Sequence, residues 1–172
     1  YTDDDSDAFW LAHLLRLGIL PTGHIYPKES RGVRNLLRKR GQLVRQRTAH
    51  ILSIEHLYAR NSGDRLSCNA IKCLTEEQIQ QQFADPNVAL AIDSNRILMN
   101  ALDQQIKVLE QALLKQTKLN PRYRKLLTID GVGEVLALTI TLETGDIGRF
   151  AQVGNFTSYC RCVGREKLSR SK

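Results

Sequence analysis

With 172 residues and a formal net charge of +7, the chain is long enough for one domain, or two small ones, with a real core. Only 6% of residues are aromatic while Leu, Ile, Gln and Arg are frequent, which favours helices packed along aliphatic seams over a β-sandwich. A pI near 9.4 asks for an acidic partner, most economically nucleic acid, with a merely solvated basic surface as the alternative.

The first predicted element lies in "DDDSDAFWLAHLLRLGIL", residues 3–20. Its aspartates suit a helix start, where they cap the chain and complement the dipole. Ala8, Leu11, Ala12, Leu14 and Leu15 form an apolar stripe at helical spacing, and Gly18 and Pro21 end the element. "TGHIYP" at 22–27 reads as a loop.

A long helix is predicted over 28–60. Val33, Leu37, Arg40, Val44, Arg47, Ile51, Ile54 and Tyr58 recur in alternating steps of four and three, the heptad seam of a helix with a partner. The same stretch is strongly basic. Lys28, Arg31, Arg34, Arg38, Lys39, Arg40, Arg45 and Arg47 stand against Glu29 alone. Such a run repels itself, and a polyanion would relieve it. Arg31, Arg34, Arg38, Lys39, Arg40, Arg45 and Arg47 are therefore candidate nucleic-acid contacts.

After a turn at 61–67, "TEEQIQQQF" reads as a short helix opened by a capping box from Thr75 to Gln78. A second long helix is predicted from Val88 to Lys118. Ile92, Met99, Leu102, Ile106, Leu109 and Leu113 form its seam, and Asn95 is a seam amide able to fix register. Asp103, Lys107, Glu110 and Lys115 read as a mixed-charge outer face. Two such helices suggest an antiparallel coiled-coil arm, or one that dimerises.

Pro121 opens the next short helix, "GVG" turns, a helix follows from about Glu134 to Glu143, "TGD" ends it, and one more short helix falls in "NFTSYCRCVG". Helix-hairpin-helix modules use a turn of this kind. The amides of Gly131, Val132 and Gly133 can point outward at the start of a helix, where a phosphate oxygen fits. Contacts of this kind hold the backbone and read no sequence. A mere corner between two helices is the competing account.

Cys68, Cys73, Cys160 and Cys162 lack zinc-knuckle spacing, and His13, His24, His50 and His56 lack metal-ligand spacing. No signal peptide or transmembrane-length run is present, so the expectation is a cytoplasmic protein with free thiols and no membrane contact. Both termini read as cuts within a longer protein.

The stretch "LLTIDGVGEVLALTITLETGDIGRFAQVGNFTSYCRCVG" resembles the C-terminal domain of DEDD-type insertion-sequence transposases, the group that includes the bridge-RNA-guided recombinases. The matching positions are Ile129, Gly131, Gly133, Ala137, Glu143, Gly145, Asp146, Phe150, Phe156 and Tyr159. The N-terminus agrees, since "DDSDAFWLAHLL" places Asp4 and Asp7 on the aspartates that close the family's RuvC-like domain. Arg161, Gly164 and Arg170 depart from the family's glycine, proline and glycine.

The resemblance implies DNA transposition by a transposase or recombinase that cuts and rejoins strands at insertion-sequence ends. It implies Mg²⁺ held by four carboxylates, Asp4 and Asp7 among them, with the other two upstream of Tyr1, so that the fragment alone would be inactive. Hard oxygen ligands suit that ion and its charge offsets that of the transferring phosphoryl group. It implies a serine nucleophile, which falls on Ser169 with Ser171 as the competing choice. Its partners would be DNA, with a guide RNA as an open question, and further copies of itself.

The expected fold class is mainly α, with long coiled-coil-like helices and a C-terminal helix-hairpin-helix-like domain. The divisions are 1–25 for the tail of a RuvC-like domain, 26–118 for the coiled-coil middle, and 119–172 for the C-terminal transposase domain. Two rivals stand against this: a non-catalytic helix-hairpin-helix DNA-binding module, and a coiled-coil scaffold whose basic face is only solvated.

Overall fold

The computed structural model describes residues 3–20 and 23–162. Among them every regular element is a helix, and there is no strand. The helices are α1 (Asp4–Arg16), α2 (Lys28–Ser62), α3 (Cys68–Lys72), α4 (Glu76–Gln82), α5 (Pro86–Thr117), α6 (Pro121–Leu126), α7 (Glu134–Thr144) and α8 (Val153–Tyr159), with a 3-10 turn at Ile147–Arg149. The expected mainly α class is what the chain adopts.

The frame is the antiparallel pair of α2 and α5. Arg40 meets Glu110, Arg47 meets Asp103 and His50 meets Asn95, so the register rises on one helix as it falls on the other. Every expected seam position is at least half-buried, and Leu37, Ile51, Ile54, Ile92, Met99, Ile106 and Leu113 are buried outright. Full burial of such a side chain contributes about 1.5–3 kcal/mol each.

Two arginines in a seam would leave uncompensated charge in the interface. The partner helix answers them. Arg40 pairs with Glu110 at 2.7 Å and Arg47 with Asp103 at 2.5 Å. Asp103 and Glu110 therefore do not form an outer face as their sequence context suggested. Charge matching against half-buried cations turns them inward, and only Lys107, paired with Asp103, and Lys115 are exposed.

Asn95 fixes register by a specific contact, its side-chain oxygen lying 2.8 Å from His50 Nδ1. His50 thus has a structural role that its lack of metal-ligand spacing did not reveal.

The pair is closed at each end by a separate apolar cluster. At the far end α3 and α4 pack Ile71, Ile79 and Phe83 against Ile51, Ile54 and Ile92. The capping box on α4 forms as expected: Gln78 N–H donates to Thr75 Oγ1, and Thr75 N–H donates to Gln78 Oε1. At the near end Tyr123 of α6 and Ala137 and Leu138 of α7 pack with Leu37 and Leu113. The expected division at 119 falls within this shared cluster.

Helix α1 packs on neither cluster. Asp3 caps it by accepting from Asp5 N–H at 2.9 Å, as its sequence context suggests. None of its residues is buried, and Phe9, Trp10, Leu11 and Leu15 are exposed. Of the expected stripe, Ala8, Leu11, Ala12 and Leu15 are exposed and Leu14 is half-buried.

Candidate nucleic-acid interface

The structure sorts the basic residues of α2 into two sets. Arg34, Arg40 and Arg47 turn inward, with side chains 19%, 21% and 22% exposed, and each meets a carboxylate. Arg31, Arg38 and Arg45 are exposed and stand seven residues apart, so they fall in one row on the face turned from α5. Successive members lie about 10 Å apart along the axis. Lys28 and Lys39 are exposed as well.

Of these five, only Arg38 has a carboxylate partner among the described residues; Lys39 Nζ donates to Gln42, and Arg31 Nε donates to the Tyr26 carbonyl. The expectation that eight cations face Glu29 alone is therefore corrected. Glu143, Glu110 and Asp103, distant in sequence, pair with four of them, Glu143 being shared by Arg34 and Arg38.

Glu143 sits near the C-terminal end of α7, and the way that end is capped sets the geometry of the region. A helix leaves its last carbonyls without intrahelical donors. Here three in succession are served by side chains. Tyr26 and Tyr159 hydroxyls both donate to the Glu143 carbonyl, the latter at 2.7 Å. Arg149 Nε donates to Thr144 at 3.1 Å, and Arg122 donates to Gly145 at 2.6 Å.

Gly145 makes the bend, at φ +64° and ψ −132°, where a side chain is strained. Asp146 then caps the 3-10 turn by accepting from Gly148 N–H, and it pairs with Arg122. Rings close the knot. The Arg149 guanidinium lies 4.1 Å from the Phe150 centroid and 4.5 Å from that of Tyr159, and Phe150 packs edge-on against Phe156.

The Glu143 carboxylate points at α2 and binds Arg34 and Arg38, each at 2.8 Å. Arg34 also stacks on the Tyr26 ring, 3.9 Å from its centroid. The Arg38 hydrogen bond, followed by that of Arg34, holds the Glu143 carboxyl below the usual carboxylate range against the opposing effect of burial. Burial, followed by the hydroxyl of Tyr159, pushes the Tyr26 phenol up, so it stays protonated and can donate.

Six of the ten positions on which the resemblance rests, Glu143, Gly145, Asp146, Phe150, Phe156 and Tyr159, thus build one cap. Tyr26, Arg122 and Arg149 complete it, and no local pattern marked them. Tyr26 and Glu143 are 117 residues apart.

The hairpin at 129–134 forms between α6 and α7. Gly131 has φ +84°, which the turn needs. Val132 N–H donates to the Ile129 carbonyl at 3.0 Å, so its amide is closed to a ligand, contrary to expectation: a tight turn consumes its own central donor. Gly131 and Gly133 are exposed, and a Cβ at either would meet nothing within 4 Å. Packing between helices therefore does not demand glycine at 133. Asp130 and Glu134, both exposed, flank the turn and lower its attraction for anions.

Asp4 and Asp7 lie one turn apart in α1, exposed, among Asp3 and Asp5. Two carboxylates so placed give a hard cation only part of a ligand set, and the described residues hold no group of three or more candidate ligands. Ser169 and Ser171 lie outside the described residues. Among those described, no helix is long and apolar enough to cross a membrane.

No curated protein and no solved structure matches the chain. Residues 123–172 match the family model described as Transposase IS116/IS110/IS902 family, a stretch that runs from Tyr123 through the glycine hairpin, α7, its cap and α8. That similarity to insertion-sequence transposases supports DNA transposition as the general activity and DNA as the partner.

Proposed function

We propose that the intact protein is a DNA transposase or recombinase of an insertion sequence, and that its α2 row holds nucleic-acid backbone while strands are cut and rejoined. The observation that carries this reading is the match of residues 123–172 to the transposase family. The row of Arg31, Arg38 and Arg45, with Lys28 and Lys39 beside it, suits a phosphate backbone. Its cations lie on one face and read no base edges. Ser169 is the candidate nucleophile, with Ser171 beside it, and Asp4 and Asp7 are candidate Mg²⁺ ligands. A guide RNA on the same face and assembly with further copies belong to this proposal.

Catalysis and binding separate in one experiment on the full-length protein. Ser169→Ala should abolish strand cutting of element-end DNA and leave binding of the same duplex intact. Lys39→Ala with Arg45→Ala should weaken binding and flatten the slope of log affinity against log salt by about 0.9 per charge removed. Cutting that survives loss of both Ser169 and Ser171 refutes the nucleophile. Binding without any cutting by the unaltered protein, with Mg²⁺ present, favours a non-catalytic helix-hairpin-helix module, a reading to which the open Gly131 and Gly133 backbone lends support.

A further inference from the structure

We infer that Glu143 acts as an internal phosphate mimic, occupying the middle of the α2 row, so that nucleic acid must displace it from Arg38 to bind the whole row. The inference rests on the reading of that row as a backbone-binding surface and concerns how the surface is regulated.

Arg38 is the central member of the exposed row and its side chain is 56% exposed. Yet both oxygens of the Glu143 carboxylate hold it, at 2.8 Å to Nε and 3.1 Å to Nη2. A planar carboxylate gripped by a guanidinium fork presents the geometry that a phosphate would. Arg31 and Arg45, on either side, carry no such partner among the described residues. The row is thus anion-free at two positions and self-occupied at the one between.

The carboxylate is also not free to wander. Its own backbone carbonyl is clamped by the hydroxyls of Tyr26 and Tyr159, so the competitor is held at high effective concentration. When phosphates take Arg38, Glu143 loses its more exposed partner and keeps the half-buried Arg34, and the contact between α7 and α2 weakens. Because coupling is reciprocal, whatever loosens that contact favours nucleic acid, and nucleic acid loosens that contact.

The test uses the full chain and a random-sequence DNA duplex of about 30 base pairs, with affinity measured across a salt series. Glu143→Gln should bind about three- to tenfold more tightly, with a slope steeper by about 1, as one more cation becomes available. Arg38→Gln should cost less than about twofold in the unaltered protein and about tenfold in the Glu143→Gln background, a non-additivity that only competition produces.

Tyr159→Phe removes one of the two hydroxyls on the Glu143 carbonyl without touching charge, and should tighten binding less than Glu143→Gln does and not at all in the Glu143→Gln background. If it tightens binding equally in the Glu143→Gln background, loosening rather than the carboxylate charge is responsible and the inference is overturned. It is also overturned if Glu143→Gln binds no more tightly, or if Arg38→Gln costs the same in both backgrounds, while Lys39→Ala with Arg45→Ala has lost binding. If that double change leaves binding untouched, the row itself is not the interface, which is a different failure. Should Glu143→Gln not fold, Glu143→Asp, whose shorter arm draws the carboxylate back from Arg38, must show the same tightening in smaller measure.

Discussion

Replacing Gly145 by alanine tests whether the capped end of α7 is as tightly determined as its hydrogen bonds imply. Two costs add. The backbone at φ +64° and ψ −132° lies where residues with a Cβ are strained, at about 1–3 kcal/mol. The added Cβ would also stand 3.0 Å from Tyr26 Cε1. That ring cannot swing aside freely, since its hydroxyl is bonded to Glu143 and its face carries Arg34. Overpacking against a held ring costs about 1–3 kcal/mol. A total near 4 kcal/mol, about the middle of the summed range, lowers the melting temperature of a chain this size by about 8–16 °C. The assay is a circular dichroism melt beside a urea titration. Gly133→Ala is the control, since φ there is −78° and a Cβ would meet no atom within 4 Å, so it should shift stability by less than about 1 kcal/mol. If Gly145→Ala costs no more than Gly133→Ala, the bend relaxes at will and the cap does not position Glu143.

Ile54 is fully buried in the far cluster, and Ile54→Ala should cost about 3 kcal/mol by denaturant titration, with little effect on nucleic-acid affinity. Acid should unfold the chain through its paired carboxylates. Glu143 is held below the usual carboxylate range chiefly by Arg38, and Asp103 chiefly by the hydrogen bond from Lys107 and then that from Arg47. Because their folded values lie below their unfolded ones, the stability they supply is complete above the ordinary carboxylate pKa of about 4 and is lost as pH falls through the depressed values. Melting temperature should hold down to that point and then drop, and Glu143→Gln should shallow the drop; an acid limb unchanged by that substitution would mean Glu143 contributes nothing to it.

The two long helices were legible because a seam is a local pattern. Val33, Leu37, Val44, Ile51 and Ile54 repeat at heptad steps, and burial follows them whatever the partner is. The Thr75 capping box and the start of α7 at Glu134 were legible for the same reason, since each signal spans about one turn. The fate of α1 was not. Its stripe of Leu11, Leu14 and Leu15 predicts a helix correctly but cannot say whether a second surface is present to cover it, and among the described residues none is.

The basic helix shows where a one-dimensional reading of charge stops. Eight cations near a single acid look like an open polyanion site because local sequence counts only neighbours along the chain. The acids that answer them lie 56 to 109 positions away, on α5 and α7: the antiparallel register of α2 and α5 brings Asp103 to Arg47 and Glu110 to Arg40, and the packing of α7 on α2 brings Glu143 to Arg34. The heptad pattern already contained half of this result. Arg40 and Arg47 occupied seam positions, and a guanidinium in a seam requires an acid on the facing helix, so Asp103 and Glu110 could have been assigned inward on that ground alone. Arg34 and Arg38 offered no such clue, because their partner reaches α2 from a helix outside the seam. What remains of the basic face is a narrower row than the sequence suggested, and its central member is held by a carboxylate of the same chain. Its affinity for a polyanion is therefore set by a competition within the molecule rather than by the number of its cations.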